Sequence, residues 1–116
     1  MKKFKNLKVW QKGMDLVKNV YKSSKNFPKE ELFGLTSQIR RSAISIPSNV
    51  AEGSGRGTDK DFKRFLDIAV GSSYELETQI IIANELKFLS ENDFNDLSLK
   101  VNEIQKMIAG LHKSLK

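Results

Sequence analysis

The chain contains no cysteine and a single histidine, His112. Without thiolates a disulfide scaffold or a zinc–cysteine site is excluded, and one imidazole cannot build a histidine metal site by itself. Carboxylates suited to acid–base catalysis are also missing, since Glu75 and Glu77 point to different sides of a predicted helix. We therefore expect no metal, no cofactor and no catalytic residues, and the chain is not predicted to be an enzyme.

Long hydrophobic runs are absent as well. No segment approaches the roughly 18 apolar residues that a membrane-spanning helix needs. The lysine-rich start could imitate a signal peptide, but Lys5, Lys8 and Lys12 interrupt any apolar core of such a segment. These absences predict a soluble cytoplasmic protein. A basic helix lying on a membrane surface is disfavoured, because Trp10 and Met14 are expected in the core.

The 116 residues, 39% of them hydrophobic, suit one compact domain whose charge is unevenly placed along the chain. Residues 1–29 carry nine lysines against the single acid Asp15, whereas residues 30–116 carry eleven basic and thirteen acidic residues. The net charge is therefore +8 in the first segment and −2 in the second. A chain polarised in this way is expected to attract a polyanion.

The spacing of apolar residues predicts four helices, at about residues 6–25, 28–52, 58–89 and 91–115. Thr58 and Ser90 are expected N-caps, because Asp61 and Asp93 follow them by three residues. Pro47 falls inside the second helix and predicts a kink there. Short connections between such helices predict an all-α fold, an antiparallel up-down-up-down four-helix bundle occupying residues 1–116 as a single domain.

Each helix is expected to turn one apolar stripe towards the core. In the first helix the stripe is Leu7, Trp10, Met14, Val17, Tyr21 and Ser24. In the second it is Leu32, Leu35, Ile39, Ala43, Ile46 and Val50. In the third it is Phe62, Leu66, Ala69, Ser73, Leu76, Ile80 and Ala83. In the fourth it is Phe94, Leu97, Val101, Ile104, Ile108, Leu111 and Leu115.

Beside the apolar stripe of the second helix runs a polar seam with the same spacing. It consists of Gln38, Ser42, Ser45, Asn49 and Glu52. We expect this seam to form a buried network that fixes helix register or subunit packing, and a ligand pocket is the alternative.

The third helix carries more apolar residues than one buried stripe requires. The surplus is predicted to be an oligomer interface made of Phe65, Ile68, Val70, Tyr74, Ile81, Ile82 and Phe88. Self-association is therefore expected.

Two groups of basic residues are candidates for contact with nucleic acid. The first is an arc opposite the apolar stripe of the first helix, made of Lys5, Lys8, Lys12, Lys18, Lys22 and Lys25. The second follows the glycine-rich stretch 53–57 and contains Arg56, Lys60, Lys63 and Arg64. The alternatives are a solvated lysine face that maintains solubility, and a glycine-rich stretch that is only a connector.

Several short motifs are distributed along the chain: F-x-x-L-x-V-W at residues 4–10, Gln38-Ile39-Arg40-Arg41, and the characteristic N-V-A-E-G at residues 49–53 after Ser45-Ile46. In these motifs the sequence resembles a family of small four-helix proteins encoded in intervening sequences of bacterial 23S ribosomal RNA genes. That family is similar in turn to the accessory variability protein of diversity-generating retroelements. The resemblance implies a homopentameric barrel with a basic surface for nucleic acid, and in the retroelement member for a reverse transcriptase. It implies no catalytic residues.

Two functions follow from these observations as expectations. The first is a homo-oligomeric accessory protein that binds RNA or DNA backbones, RNA in the first instance, without strong sequence readout. The second is a protein-binding scaffold that docks an acidic or polymerase-like partner. An enzyme that the sequence does not reveal is a weaker third hypothesis.

Overall fold

The computed structural model describes residues 3–116, and regular structure within that range is entirely helical. Four α-helices account for most of it: α1 (Lys8–Ser24), α2 (Leu35–Ser54), α3 (Asp59–Glu85) and α4 (Glu91–Ser114). Short 3₁₀ turns precede α1 at Phe4–Asn6 and α2 at Lys29–Glu31. The predicted all-α class is confirmed.

Sequential helices pack side by side in opposite directions. Gly13 of α1 lies against Pro47 of α2, and Ser24 of α1 is hydrogen bonded to Arg40 of α2, so the two helices run antiparallel. The same opposed order joins α2 to α3 and α3 to α4, and α1 also packs on α4. The result is a rod of 43 × 24 × 20 Å in which four helices surround one core.

The core is formed by apolar stripes of all four helices, and in α3 and α4 these are the stripes that the spacing predicts. Leu66, Leu76 and Ile80 of α3 are fully buried, as are Val101 and Ile104 of α4. Burying such a side chain contributes about 1.5–3 kcal/mol, so these stripes supply much of the stability. The predicted inward residues of the third helix are confirmed throughout.

Helix α1 turns a different stripe towards the core from the one predicted. Val9, Leu16 and Val20 are buried, whereas Trp10 is only partly buried and Tyr21 is exposed. Apolar side chains cover a broad arc of this helix, and periodicity does not determine the centre of a broad arc. The packing of α1 between α2 and α4 selects that centre.

Helix α2 begins at Leu35, seven residues later than predicted from Pro28. The Glu31 carboxylate accepts a hydrogen bond from the Leu35 N–H at 3.1 Å and so satisfies a donor at the new helix start. The segment before it is a 3₁₀ turn and a loop that leaves Leu32 and Phe33 exposed. Leu32 is therefore not part of the core. Beyond Leu35 the helix continues without a break through the buried Pro47.

Helix α3 ends at Glu85 rather than near Leu89 because the chain turns into a left-handed conformation at Lys87, where φ is 64°. The Phe88 N–H bonds to the Ala83 carbonyl at 2.8 Å, and the Lys87 N–H bonds to the Asn84 carbonyl at 3.0 Å. This pair of bonds is the Schellman arrangement, which satisfies the last carbonyls of a helix.

Both predicted N-caps are confirmed. The Thr58 hydroxyl accepts a hydrogen bond from the Asp61 N–H, and the Ser90 hydroxyl accepts one from the Asp93 N–H, each at 3.1 Å. Such a cap contributes about 1 kcal/mol to a helix. The caps fix where α3 and α4 begin.

Replacing Lys87 by glycine should stabilise the protein, because only glycine adopts a positive φ without steric cost. We expect Lys87→Gly to raise the free energy of unfolding by about 0.5–1 kcal/mol, measured by urea denaturation with an unchanged slope. Lys106→Gly, in an exposed turn of α4, is the matched control and should lower it by about 1 kcal/mol. Equal losses in both variants would contradict the left-handed conformation at Lys87.

Candidate nucleic-acid interface

The six lysines predicted to line the first helix are all exposed. They follow the outer side of the chain from the 3₁₀ turn to the end of α1, away from the buried Val9, Leu16 and Val20. Among the described residues, one of the six forms an ion pair: the Lys12 ammonium lies 3.7 Å from the Glu103 carboxylate of α4. The lysine arc is therefore largely free of internal neutralisation.

The second basic group is built around Phe65, which is only 6% exposed. The guanidinium groups of Arg56 and Arg64 lie 4.8 and 4.6 Å from the centre of its ring, within the range of cation–π attraction. Arg56 is also held by Glu52 at 2.9 Å, and Arg64 lies 4.0 Å from Asp61. These contacts fix the positions of both arginines at the start of α3.

A close approach of α2 to α3 makes this arrangement possible. A Cβ atom on Gly53 would lie 2.6 Å from the Phe65 Cβ and 3.0 Å from the Phe62 Cδ1. No side chain fits at that distance, so glycine is required for Phe65 to pack beneath the end of α2. The close approach of the two helices therefore explains why the N-V-A-E-G element ends in glycine.

The N-terminus of α3 is occupied by groups of the chain itself. Asp59 and Asp61 lie in its first turn, where their charges meet the positive end of the helix dipole. The Thr58 hydroxyl accepts the Asp61 N–H, and the Asp59 carboxylate accepts a hydrogen bond from the Lys116 N–H at 3.1 Å. The glycine-rich stretch 53–57 is thus better described as a connector than as a separate anion site.

The hydrogen bond between Lys116 and Asp59 brings the end of the chain to the same end of the rod. The end of α4 meets the start of α3, and the 3₁₀ turn at Phe4–Asn6 packs on α2. We call this the basic end and define it as residues 3–12, 52–64 and 112–116. It contains ten basic and three acidic residues, whereas the other described residues comprise nine basic and eleven acidic ones.

The basic end includes residues that the sequence analysis missed, namely Lys3, Lys113 and Lys116. Lys18, Lys22 and Lys25, in contrast, lie along α1 beyond it. Antiparallel order could have revealed the three missed lysines, because in an up-down-up-down bundle the end of the fourth helix returns to the start of the first. A count of charges along the sequence does not show that these lysines lie together.

The middle of the polar seam joins α2 to α3. The Ser42 hydroxyl donates to the Gln79 side-chain oxygen at 2.6 Å, and the hydroxyls of Ser45 and Ser72 are 2.7 Å apart. Asn49 donates to the Ser45 carbonyl and hydroxyl within α2. Such bonds contribute about 0.5–1.5 kcal/mol each. Gln79 and Ser72 were not predicted as partners, although their spacing of seven residues, about two helical turns, places them on the same side of α3.

The two ends of the predicted seam differ from its middle. Gln38 is exposed, and Glu52 is exposed and paired with Arg56. Among the described residues, no buried side-chain polar atom lacks a hydrogen-bond partner. The seam therefore gives no sign of polar groups waiting for a ligand, which favours its structural interpretation.

Three of the predicted interface residues pack within the protomer. Phe65 is buried beneath the arginines, while Val70 and Phe88 pack against the core, with the Phe88 ring 5.7 Å from that of Phe27. Phe65 is therefore corrected to a core residue, whereas Val70 and Phe88 remain partly exposed and their place in an interface stays a prediction. The other predicted members are exposed on the two flanks of the outer side of α3: Ile68 and Ile82, with the neighbouring Leu86, on one flank, and Tyr74 and Ile81 on the other. We call these five residues the α3 face.

His112 is half exposed, and its imidazole lies 3.2 Å from the Asp67 carboxylate, linking α4 to α3. Across residues 3–116 no group of three or more histidine, aspartate or glutamate side chains could hold a metal ion. None of the helices in the same range combines the length and the hydropathy that a bilayer span requires.

Fold and surface together define a four-helix-bundle protein with a concentrated basic end. A family model described as "23S rRNA-intervening sequence protein" matches residues 5–110. The chain belongs to this family.

A solved structure shares the fold. It is the crystal structure of a protein with unknown function from the S23 ribosomal protein family of Bacteroides thetaiotaomicron, with a TM-score of 0.82 and 23% sequence identity. The similarity covers 91% of this chain and 99% of that one. At this identity it supports the architecture alone. Comparison with curated proteins finds no match.

Replacing Gly53 by alanine should force α2 and α3 apart, because the new methyl group would overlap Phe65. We expect Gly53→Ala to lower the free energy of unfolding by about 1–3 kcal/mol, measured by chemical denaturation. Gly110→Ala is the matched control. It has open space around its Cβ position in α4, so it should stabilise by up to about 1 kcal/mol. A neutral Gly53→Ala variant would contradict the close approach.

Proposed function

We propose that the protein is a non-catalytic, homo-oligomeric accessory protein of the cytoplasm that binds nucleic acid, RNA in the first instance, through its basic surface. The observation that carries this proposal is the concentration of exposed, largely unpaired lysines at the basic end and along α1. A charged surface that its own chain does not neutralise is suited to a partner of opposite charge.

Lysine determines how such a partner would be recognised. Its ammonium group is a point charge on a flexible stem, so it contacts phosphates without the fixed geometry that reads base edges. Binding through these residues is therefore expected to depend on the backbone and on the release of counterions rather than on sequence.

Self-association completes the proposal. The α3 face exposes Ile82 to 41% and Tyr74 to 57%, on a helix that already buries one apolar stripe. Burial of such a second face against another copy removes apolar surface from water. We propose the pentameric barrel that the resemblance to the intervening-sequence and retroelement proteins implies. Several copies would repeat the basic surface and make weak phosphate contacts effective together.

A protein-binding scaffold is the second candidate. Phe33 is 93% exposed and Leu32 is half exposed, in the loop before α2 and so at the opposite end of the rod from the basic end. Large exposed apolar side chains are typical of contact sites for proteins. In this second function, an acidic or polymerase-like protein would occupy the basic surface in place of nucleic acid.

Binding to RNA should weaken steeply as salt rises. We expect the logarithm of the association constant for a labelled single-stranded RNA to fall linearly with the logarithm of salt, with a slope of about −0.7 for each phosphate contacted. Fluorescence anisotropy at several salt concentrations measures it. Absent binding at low salt, or affinity independent of salt, would overturn the proposal and leave the scaffold as the better hypothesis.

Disrupting the α3 face should separate the copies. We expect the purified protein to have a mass several times that of one chain by light scattering, and Ile68→Glu with Ile82→Glu to yield folded monomers. Leu99→Glu, on the exposed side of α4, is the matched control and should leave the mass unchanged. A monomeric native protein would contradict the assembly.

A further inference from the structure

We propose that the nucleic-acid backbone lies across the basic end of the rod rather than along the part of the lysine arc beyond it, Lys18, Lys22 and Lys25. This inference rests on the proposed function and specifies the surface that performs it. The surface unites the start of the chain, the connection between α2 and α3, and the end of α4.

The acids of the basic end are already engaged by neighbouring groups. Glu52 pairs with Arg56, Asp61 lies near Arg64, and the Asp59 carboxylate accepts the Lys116 N–H. Six lysines of this end are exposed and form no ion pair within residues 3–116: Lys3, Lys5, Lys8, Lys60, Lys113 and Lys116. The basic end therefore keeps a net positive charge, whereas the other described residues carry more acidic than basic residues.

Acidic residues lie beside the lysine arc from the edge of the basic end onwards. Glu103 lies 3.7 Å from the Lys12 ammonium at that edge, and Lys18 borders a surface depression that also contains Lys12, Lys100, Asp15 and Glu103. A backbone following α1 would therefore pass carboxylates, and the repulsion of phosphate by carboxylate opposes that path.

The two ends of the rod act as separate electrostatic surfaces. The rod is 43 Å long, several times the Debye length of about 8 Å at physiological salt. A phosphate at the basic end therefore responds to a local excess of five positive charges, ten basic residues against three acids of that end and the adjoining Glu103 and Asp67, and not to the charge of the whole chain.

The size of the basic end also suits a nucleic-acid strand. The cross-section of the rod is 24 × 20 Å, and phosphates of one duplex strand recur about every 3.4 Å along the axis, so a 24 Å crossing presents about seven phosphates. In a ring of parallel copies, the basic ends would form one continuous face.

Three charge-reversal variants test this path. The first is Lys5→Glu, Lys60→Glu and Lys113→Glu at the basic end. The second is Lys18→Glu, Lys22→Glu and Lys25→Glu on α1. The third, as the matched control, is Lys29→Glu, Arg41→Glu and Lys87→Glu, which changes exposed residues outside both surfaces by the same charge.

Binding of single-stranded RNA and of duplex DNA is measured for each full-length variant by anisotropy across a salt series, and the two probes distinguish the source of the phosphates. We expect the basic-end variant to lose at least about tenfold in affinity and to have a salt slope shallower by about 2–3, whereas the control changes by less than about twofold. The α1 variant should lose less than the basic-end variant.

An α1 or control variant that loses as much as the basic-end variant would overturn this path while leaving nucleic-acid binding intact. Absence of binding by the native protein would instead overturn the proposed function, and this inference with it. Circular dichroism verifies folding. If the glutamate substitutions at the basic end reduce helicity, the corresponding Lys→Gln variant, which removes the charges without reversing them, replaces it in the same comparison.

Discussion

The close packing of α2 against α3 is the contact on which the rest of the structure depends. Gly53 allows the end of α2 to lie on Phe65, and the paired serines Ser45 and Ser72 keep the two helices near each other further along. Small residues at a helix contact permit a short interaxial distance, and hydrogen bonds between them select one register. Shifting this register would displace the seam, the arginines on Phe65 and the outer face of α3 together.

This packing also determines which surfaces are left for partners. Because α3 is buried on the side of Leu66 and Ile80 and hydrogen bonded to α2 through Ser72 and Gln79, its remaining apolar side chains are directed outwards. At one end of the same contact, Phe65 holds two guanidinium groups in place. The α3 face and part of the basic end are therefore consequences of one helix–helix contact, and the proposed assembly and the proposed polyanion binding use separate surfaces.

Local rules predicted the elements whose determinants are local. The caps at Thr58 and Ser90 depend on a hydroxyl and an N–H three residues apart, and both are found. In α3 and α4 the residues of the predicted stripe lie at the centre of the apolar pattern, so the period identifies the buried side correctly, although α3 carries further apolar residues on both flanks. In α1 the apolar arc is broad, and the buried side depends on two neighbouring helices. Helical propensity likewise does not predict where α2 begins or where α3 ends. The start of α2 at Leu35 depends on the hydrogen bond to the Glu31 carboxylate, and the end of α3 at Glu85 depends on the left-handed conformation of Lys87.

By itself, the sequence determined the class of fold, the number of helices, the capped helix starts and the presence of a basic surface, because these follow from period, capping chemistry and charge. Only the tertiary structure decided that Phe65 is buried, that Ser42 and Ser45 are hydrogen bonded to Gln79 and Ser72, and that three distant segments form one basic end. The physical reason is that a helix specifies which residues share a side, whereas the packing of its neighbours decides which side is covered and what lies beside it.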